Sequence, residues 1–186
     1  MCRICTKETI NMKNSLKTLI VLPLMAVFVL SSCKKDEEEP MPQLQSKTFN
    51  YAFNTGQVGA GTAYDGSHAK NLTASLKLEE QSNGKTKVTL MLMNTIDGNS
   101  YHVHSHDAAD PATTPNGTPY NETPNATVLV GLAASSGGTA TYSQMSDMSF
   151  SALTTQYSGF LVVHDPTQAI STTDLTTYLV VGAFAR

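Results

Sequence analysis

From Lys47 onward the chain alternates apolar and polar residues with a period of two, the signature of strands that bury one face. In LTASLKLEEQSNGKTKVTLMLMN, Leu72, Ala74, Leu76 and Leu78 share one face, and Val88, Leu90 and Leu92 return it from a second run. The two runs are joined around SNGK, a strong hairpin signal. TFNYAFN alternates in the same way ahead of a glycine-rich stretch, GQVGAGTAYDG. Met91 and Met93 fall opposite the leucines, and packing is the expected role for them and for Met145 and Met148. Two thioethers on one face are also a pattern that soft copper(I) accepts.

Asp97-Gly98 turns the chain into YHVHSHD. A long polar stretch follows, HDAADPATTPNGTPYNETPNA, which reads as loop. Structureless loops of this length are commonly functional or disordered. TVLVGLAA and GTATYSQ read as strands across SSGG, while MSDMSFSALTTQYSG is ambiguous between strand, turn and short helix. FLVVHD and TTYLVVGAFA are strong strands, and Phe150, Tyr157, Phe160 and Phe184 are expected to pack at strand positions. Seven or eight short strands without a long helical period predict an all-β domain, a β-sandwich or flattened barrel.

The first forty-six residues do not share this pattern. Residues 1–11 read as an upstream translation start. Residues 12–32 carry Lys13 and Lys17 ahead of an apolar run, Leu19 to Leu30, ending in LSSC, which predicts a secretory signal with a lipoprotein cleavage site. The run is short for a membrane span. Cys33 is then the lipidated residue, and residues 33–46 (CKKDEEEPMPQLQS) are a charged tether resembling the surface-export signal of Bacteroidetes lipoproteins. Residues 47–186 form one domain. These expectations place the protein on the bacterial outer membrane, anchored to lipid through Cys33 and surface-exposed.

Charge and cysteines narrow the chemistry. From Cys33 onward there are eight Lys or Arg and fourteen Asp or Glu, a net charge near −6 with histidine neutral. That balance excludes a basic nucleic-acid footprint. Cys2 and Cys5 precede the expected start and Cys33 carries lipid, so the domain has neither a disulfide nor a thiolate ligand. Any metal site there uses histidine and carboxylate.

Three of the five histidines lie in YHVHSHD. In a strand, His102, His104 and His106 point to one face and Tyr101, Val103 and Ser105 to the other. Imidazoles at i and i+2 are close enough to chelate one ion, and neutral imidazole suits copper and zinc. His164 ends the apolar run FLVV and precedes Asp165-Pro166. It is either a further ligand or an edge histidine hydrogen-bonded to Asp165 or a carbonyl. His68, after AYDGS, reads as a surface residue. The Asn-x-Thr/Ser triplets at Asn71, Asn116, Asn121 and Asn125 read as polar loops.

VTLMLMNTIDGNSYHVHSHD, then SGFLVVHDP, then TTYLVVGAFA together resemble the Cu/Zn superoxide dismutase family, over roughly residues 73–186. The resemblance implies a Greek-key β-sandwich, with the copper pair at His102 and His104, the distant copper histidine at His164, and His106 in the place of the bridging histidine. It implies one copper ion and superoxide as substrate.

The chain departs from that family in three ways. The loop after His106 has no histidine, only oxygens from Asp107, Asp110, Asn116, Asn121 and Glu122, a poor zinc site. The family's disulfide is missing. Tyr178 stands where the superoxide-orienting arginine is expected, and Arg186 is the only arginine from Cys33 onward. Negative net charge also opposes steering of an anion. The expectation is therefore a copper-binding domain without zinc, with copper stored or slowly cycled. YHVHSHD followed by ATVLVGL also resembles CHRD domains. That second resemblance implies a metal-free surface β-sandwich that binds a protein or glycan.

Overall fold

The computed structural model of the protein describes residues 43–54, 63–172 and 174–185, all within a compact unit spanning residues 41–186. The expected leader, Cys33 and most of the expected tether lie outside the described residues, as do Gly56–Thr62 of the glycine-rich stretch and Arg186. Among the described residues no helix is long and apolar enough to cross a membrane.

The domain is all-β, as the alternation predicts. Nine antiparallel strands form one strongly curved sheet: β1 (Ser46–Ala52), β2 (Thr73–Glu80), β3 (Thr86–Met93), β4 (Ser100–Ala108), β5 (Tyr120–Pro124), β6 (Val130–Ser136), β7 (Thr139–Ser146), β8 (Ser158–His164) and β9 (Tyr178–Ala185). Their spatial order is β1-β2-β3-β7-β6-β4-β8-β9, with β5 paired to β4. Strands β4, β6 and β7 run consecutively side by side, and β8 returns beside β4, which is a Greek key. β3 closes against the other side of this group, on β7.

The hairpin between β2 and β3 has the expected register, Leu76 opposite Leu90 and Leu78 opposite Val88. These side chains are fully buried together with Leu72 and Leu92. Gly84 takes a left-handed backbone (φ +78) in its turn, a conformation that glycine adopts without strain. On the far side the core is filled by Tyr101, Val103, Leu161, Val163, Leu179 and Val180. Phe150 and Phe184 are buried in that core, and Tyr157 packs against it. The ambiguous MSDMSFSALTTQYSG resolves into the end of β7, one π-turn over Ala152–Gln156 and the start of β8.

Among the described residues, isolated hydrogen bonds rather than a ladder link the β1 segment to β9. Lys47 Nζ donates to the Ala185 carbonyl at 3.2 Å and Tyr51 Oη to the Ala183 carbonyl at 3.0 Å. Tyr51 lies flat over Gly182, where an added Cβ would meet the ring at 2.2 Å. The Asn54 N–H reaches the Leu179 carbonyl at 2.8 Å. Leu179 is the extra residue of a bulge in β9, since Val163 pairs with Val180 and His164 with Tyr178. The bulge turns both Leu179 and Val180 into the core and leaves Tyr178 on the outer face beside His164.

Two expectations change. The polar stretch after His106 is not uniformly loop: it contains β5 and a single 3₁₀ turn over Pro111–Thr113. A glance at hydrophobicity misses β5 because YNETP has one apolar residue, Tyr120, and pairs with β4 only around His106 and Ala108. Met91, Met93 and Met145 do not pack as expected but remain 45%, 50% and 45% exposed.

Candidate metal centre

Strand β4 divides its side chains as the sequence predicts. Tyr101, Val103 and Ser105 are buried in the barrel, and His102, His104 and His106 project from the outer face. The outer face is not uniform along the strand. His102 is exposed, His104 half-buried and His106 only 4% exposed. The gradient follows from β5, which pairs with the later part of β4 and sets the Tyr120 ring against His106, and from Leu175 after β8, which packs with Val162, Tyr178 and Val181. Together these residues form a roof, a second apolar cluster with Phe160 against it.

His164 joins the β4 histidines beneath the roof. Its Nε2 lies 3.1 Å from His104 Nε2. Two imidazole nitrogens about 2.0–2.1 Å from a shared ion are about 2.9 Å apart at a right angle and about 3.3 Å apart at a tetrahedral one. The pair therefore has the bite of a two-nitrogen chelate. Without an ion the same distance fits one N–H···N hydrogen bond between two neutral rings. The His106 ring sits 4.8 Å from that of His104, between it and Tyr120 at 5.0 Å, and the Tyr178 ring packs 4.4 Å from His164.

Electrostatics favours neutral rings. Burial, with the nearby His164, His106 and His102, pushes His104 down to about 3. Burial, with His102 and His106, pushes His164 down to about 4. His106 is lowered by burial too, partly offset by the backbone at Asn121 and Thr123 and by the Glu122 and Asp107 carboxylates. Neutral, already dehydrated imidazoles are the form a metal takes up. Among the described residues four buried side-chain polar atoms have no partner: His106 Nδ1, His164 Nδ1, Tyr120 Oη and Asn121 Oδ1. Such groups are costly to leave unpaired unless water or an ion meets them.

The structure thus brings together His104 and His164, with His106 alongside. His102 is near enough to lower both but sits at the exposed end. Among the described residues no group of three or more His, Cys, Asp or Glu forms a ready metal cluster. Most of the loop's polar groups serve local structure, with Asn121 Oδ1 the exception. Asp107 accepts from Asn125 at 2.6 Å, Asp110 caps the 3₁₀ turn through Ala112, and Asn116 donates to the Thr172 carbonyl at 2.6 Å. Glu122 accepts from Thr118 at 3.2 Å.

Asp165 does not cap His164. Its carboxylate accepts from Tyr64, from the backbone N–H and hydroxyl of Thr167 at 2.8 and 2.7 Å, and from Gln168 at 3.1 Å. Burial alone would raise this carboxyl, but those donors hold it below its usual value. His68 is not a surface residue: it is 2% exposed, with Nε2 2.7 Å from Tyr101 Oη. Sequence reading missed His68 and Tyr64 because a lone polar residue in a glycine-rich loop carries no period. Tyr120 had only the faint signal of an aromatic among prolines and asparagines. No protein-family model matches this chain, and neither a curated protein nor a solved structure matches it.

Proposed function

We propose that this domain holds one copper ion at His104 and His164, with His106 and His102 as further nitrogen donors, on a divergent relative of the Cu/Zn superoxide dismutase fold. The 3.1 Å approach of the two Nε2 atoms, on strands separated by sixty residues, carries the reading. Nitrogen-only donors and an open edge at His102 suit copper(II) better than zinc, which favours a closed tetrahedral set. An all-β barrel with Greek-key strand order supports this reading.

Copper retention is the main activity, and superoxide turnover is slow. A dismutase needs positive charge beside its metal, and the position aligned with the orienting arginine is Tyr178, an uncharged ring against His164. The carboxylates near His106 and Tyr178, namely Glu122, Asp107 and Asp174, attract a cation and repel an anion. The oxygens of Asp107, Asp110 and Glu122 are engaged in local hydrogen bonds, which supports a copper site without a zinc partner. The LSSC sequence and the acidic tether support a lipid anchor at Cys33, with the domain held at the outer-membrane surface.

A metal-free, CHRD-like surface that docks a protein or glycan is the second reading. It is favoured by the exposed Val130 and Leu132, which stand opposite His104 and His102 on β6. Metal analysis and copper(II) EPR on the purified protein separate the two. One copper per chain with several nitrogen couplings is expected, and His164→Ala should weaken copper binding by more than about 100-fold, beyond the loss typical of outer-shell changes. Absence of retained copper in both proteins would leave the docking surface as the function.

A further inference from the structure

The backbone pairing of β4 with β8 runs from Asp107–Gly159 to Val103–Val163 and stops there. Continued in register, the next rung would set His102 against His164, and the one after it Tyr101 against Asp165. At this end β8 leaves the ladder and β9 carries its bulge. His104 and His106 thus lie within the β4–β8 ladder, whereas His102 and His164 fall just beyond its last rung, where backbone pairing no longer holds the two strands in register.

A chain of hydrogen bonds through Tyr101, His68, Tyr64 and Asp165, one of them from the His68 backbone N–H, spans this gap. His68 Nδ1 lies 2.8 Å from the Ala69 carbonyl, which only accepts, so Nδ1 carries the proton and Nε2 accepts. Tyr101 Oη donates to that Nε2 at 2.7 Å and itself accepts the Ile96 N–H at 2.7 Å. The His68 backbone N–H donates to Tyr64 Oη at 2.7 Å, and Tyr64 Oη donates to Asp165. Tyr64, His68, Tyr101 and Asp165 are all buried. Room for the chain depends on Gly66, whose absent Cβ would fall 2.5 Å from Tyr64 Oη and 2.0 Å from Gln168 Nε2.

We propose that Tyr64 and His68 are positioning residues that replace the missing rung, clamping Tyr101 to Asp165 and thereby fixing the approach of His104 to His164. The clamp touches neither imidazole of the pair. It holds the residue before His102 and the residue after His164, so the His102–His164 rung is bounded by the last backbone pair on one side and by this chain on the other. Every donor in the chain has an acceptor, which makes the link rigid and sensitive to loss of one hydroxyl. As a role within a copper site, the inference rests on the function proposed above.

The test uses Tyr64→Phe and, from the other end, Tyr101→Phe, each deleting one hydroxyl. Imidazole nitrogen NMR of the metal-free protein comes first. Both variants should shift the His104 and His164 ring signals, while Leu78→Ala, a core change on β2, should leave them in place at temperatures where it is folded. Copper competition and EPR follow, with an expected loss of affinity of about tenfold and altered nitrogen couplings, the range for residues that orient ligands. A folded variant of either kind with wild-type ring signals overturns the clamp. Wild-type protein that takes no copper overturns the proposed function instead, and the metal-free ring signals still decide the clamp.

Discussion

The two halves of the barrel share an inner face and differ in the outer one. β1, β2, β3 and β7 bury leucine, valine and alanine inward and leave Lys77, Thr89, Met91, Met93 and Ser143 outward, with a shallow depression beside the two methionines. β4, β8 and β9 bury an equivalent set inward, but their outer residues are histidine, valine and tyrosine beneath a roof. Alternation is the same in both halves. An outer face becomes a site only where another part of the chain folds back over it, removes water from its polar groups and lowers the charge they can carry.

Breaking each half tests this contrast. The largest effect should come from Leu90→Ala, which empties a fully buried position and should cost about 3 kcal/mol, read by denaturant unfolding. Its strand neighbour Met91→Ala, on the open outer face, should cost less than about 0.5 kcal/mol. Comparable losses at the two positions would mean that the methionine face is covered in solution.

The roofed face should also make the domain acid-sensitive. The unfolded chain protonates its histidines near pH 6.5, whereas folded His104 and His164 resist until about 3 and 4. Between those values the unfolded state binds more protons, so the stability held by the neutral pair is complete above pH 6.5 and declines as pH falls toward 4. Denaturant unfolding at pH 7.5 and pH 4.5 in chelator should show a larger loss for wild type than for the double variant His104→Gln, His164→Gln. Equal losses would mean that the pair is not buried in its neutral form.

A small effect of either sign is expected at the roof itself. Tyr120→Phe removes a buried hydroxyl without a partner and should change stability by no more than about 1 kcal/mol, toward the stabilising side in metal-free protein. A clear destabilisation would show that ordered water or an ion meets the hydroxyl, and would make Tyr120 part of the centre.

Much of this architecture was legible in the residue pattern. The hairpin register from Leu76–Leu90 to Leu78–Val88 follows from alternation and a turn at Gly84, since a one-residue slip would expose every leucine. The division of YHVHSHD into a buried and an outward set follows from the same period. β5 was not legible, because YNETP lacks alternating apolar residues and owes its pairing to the neighbouring β4. The burial of His68 was equally hidden, since its partners Tyr101 and Tyr64 reach it only after the loop docks.

The sequence by itself determined the all-β class, the core leucines and valines, and which histidines share a face, because each depends on local period and composition. Tertiary structure decided that His104 and not His102 meets His164, that Asp165 serves Tyr64 rather than His164, and how far each imidazole lies from water. Those outcomes depend on where the β4–β8 ladder ends, where β9 bulges and which loop forms the roof. They are relations between separate strands, from a dozen to sixty residues apart in the chain, and no local pattern encodes them.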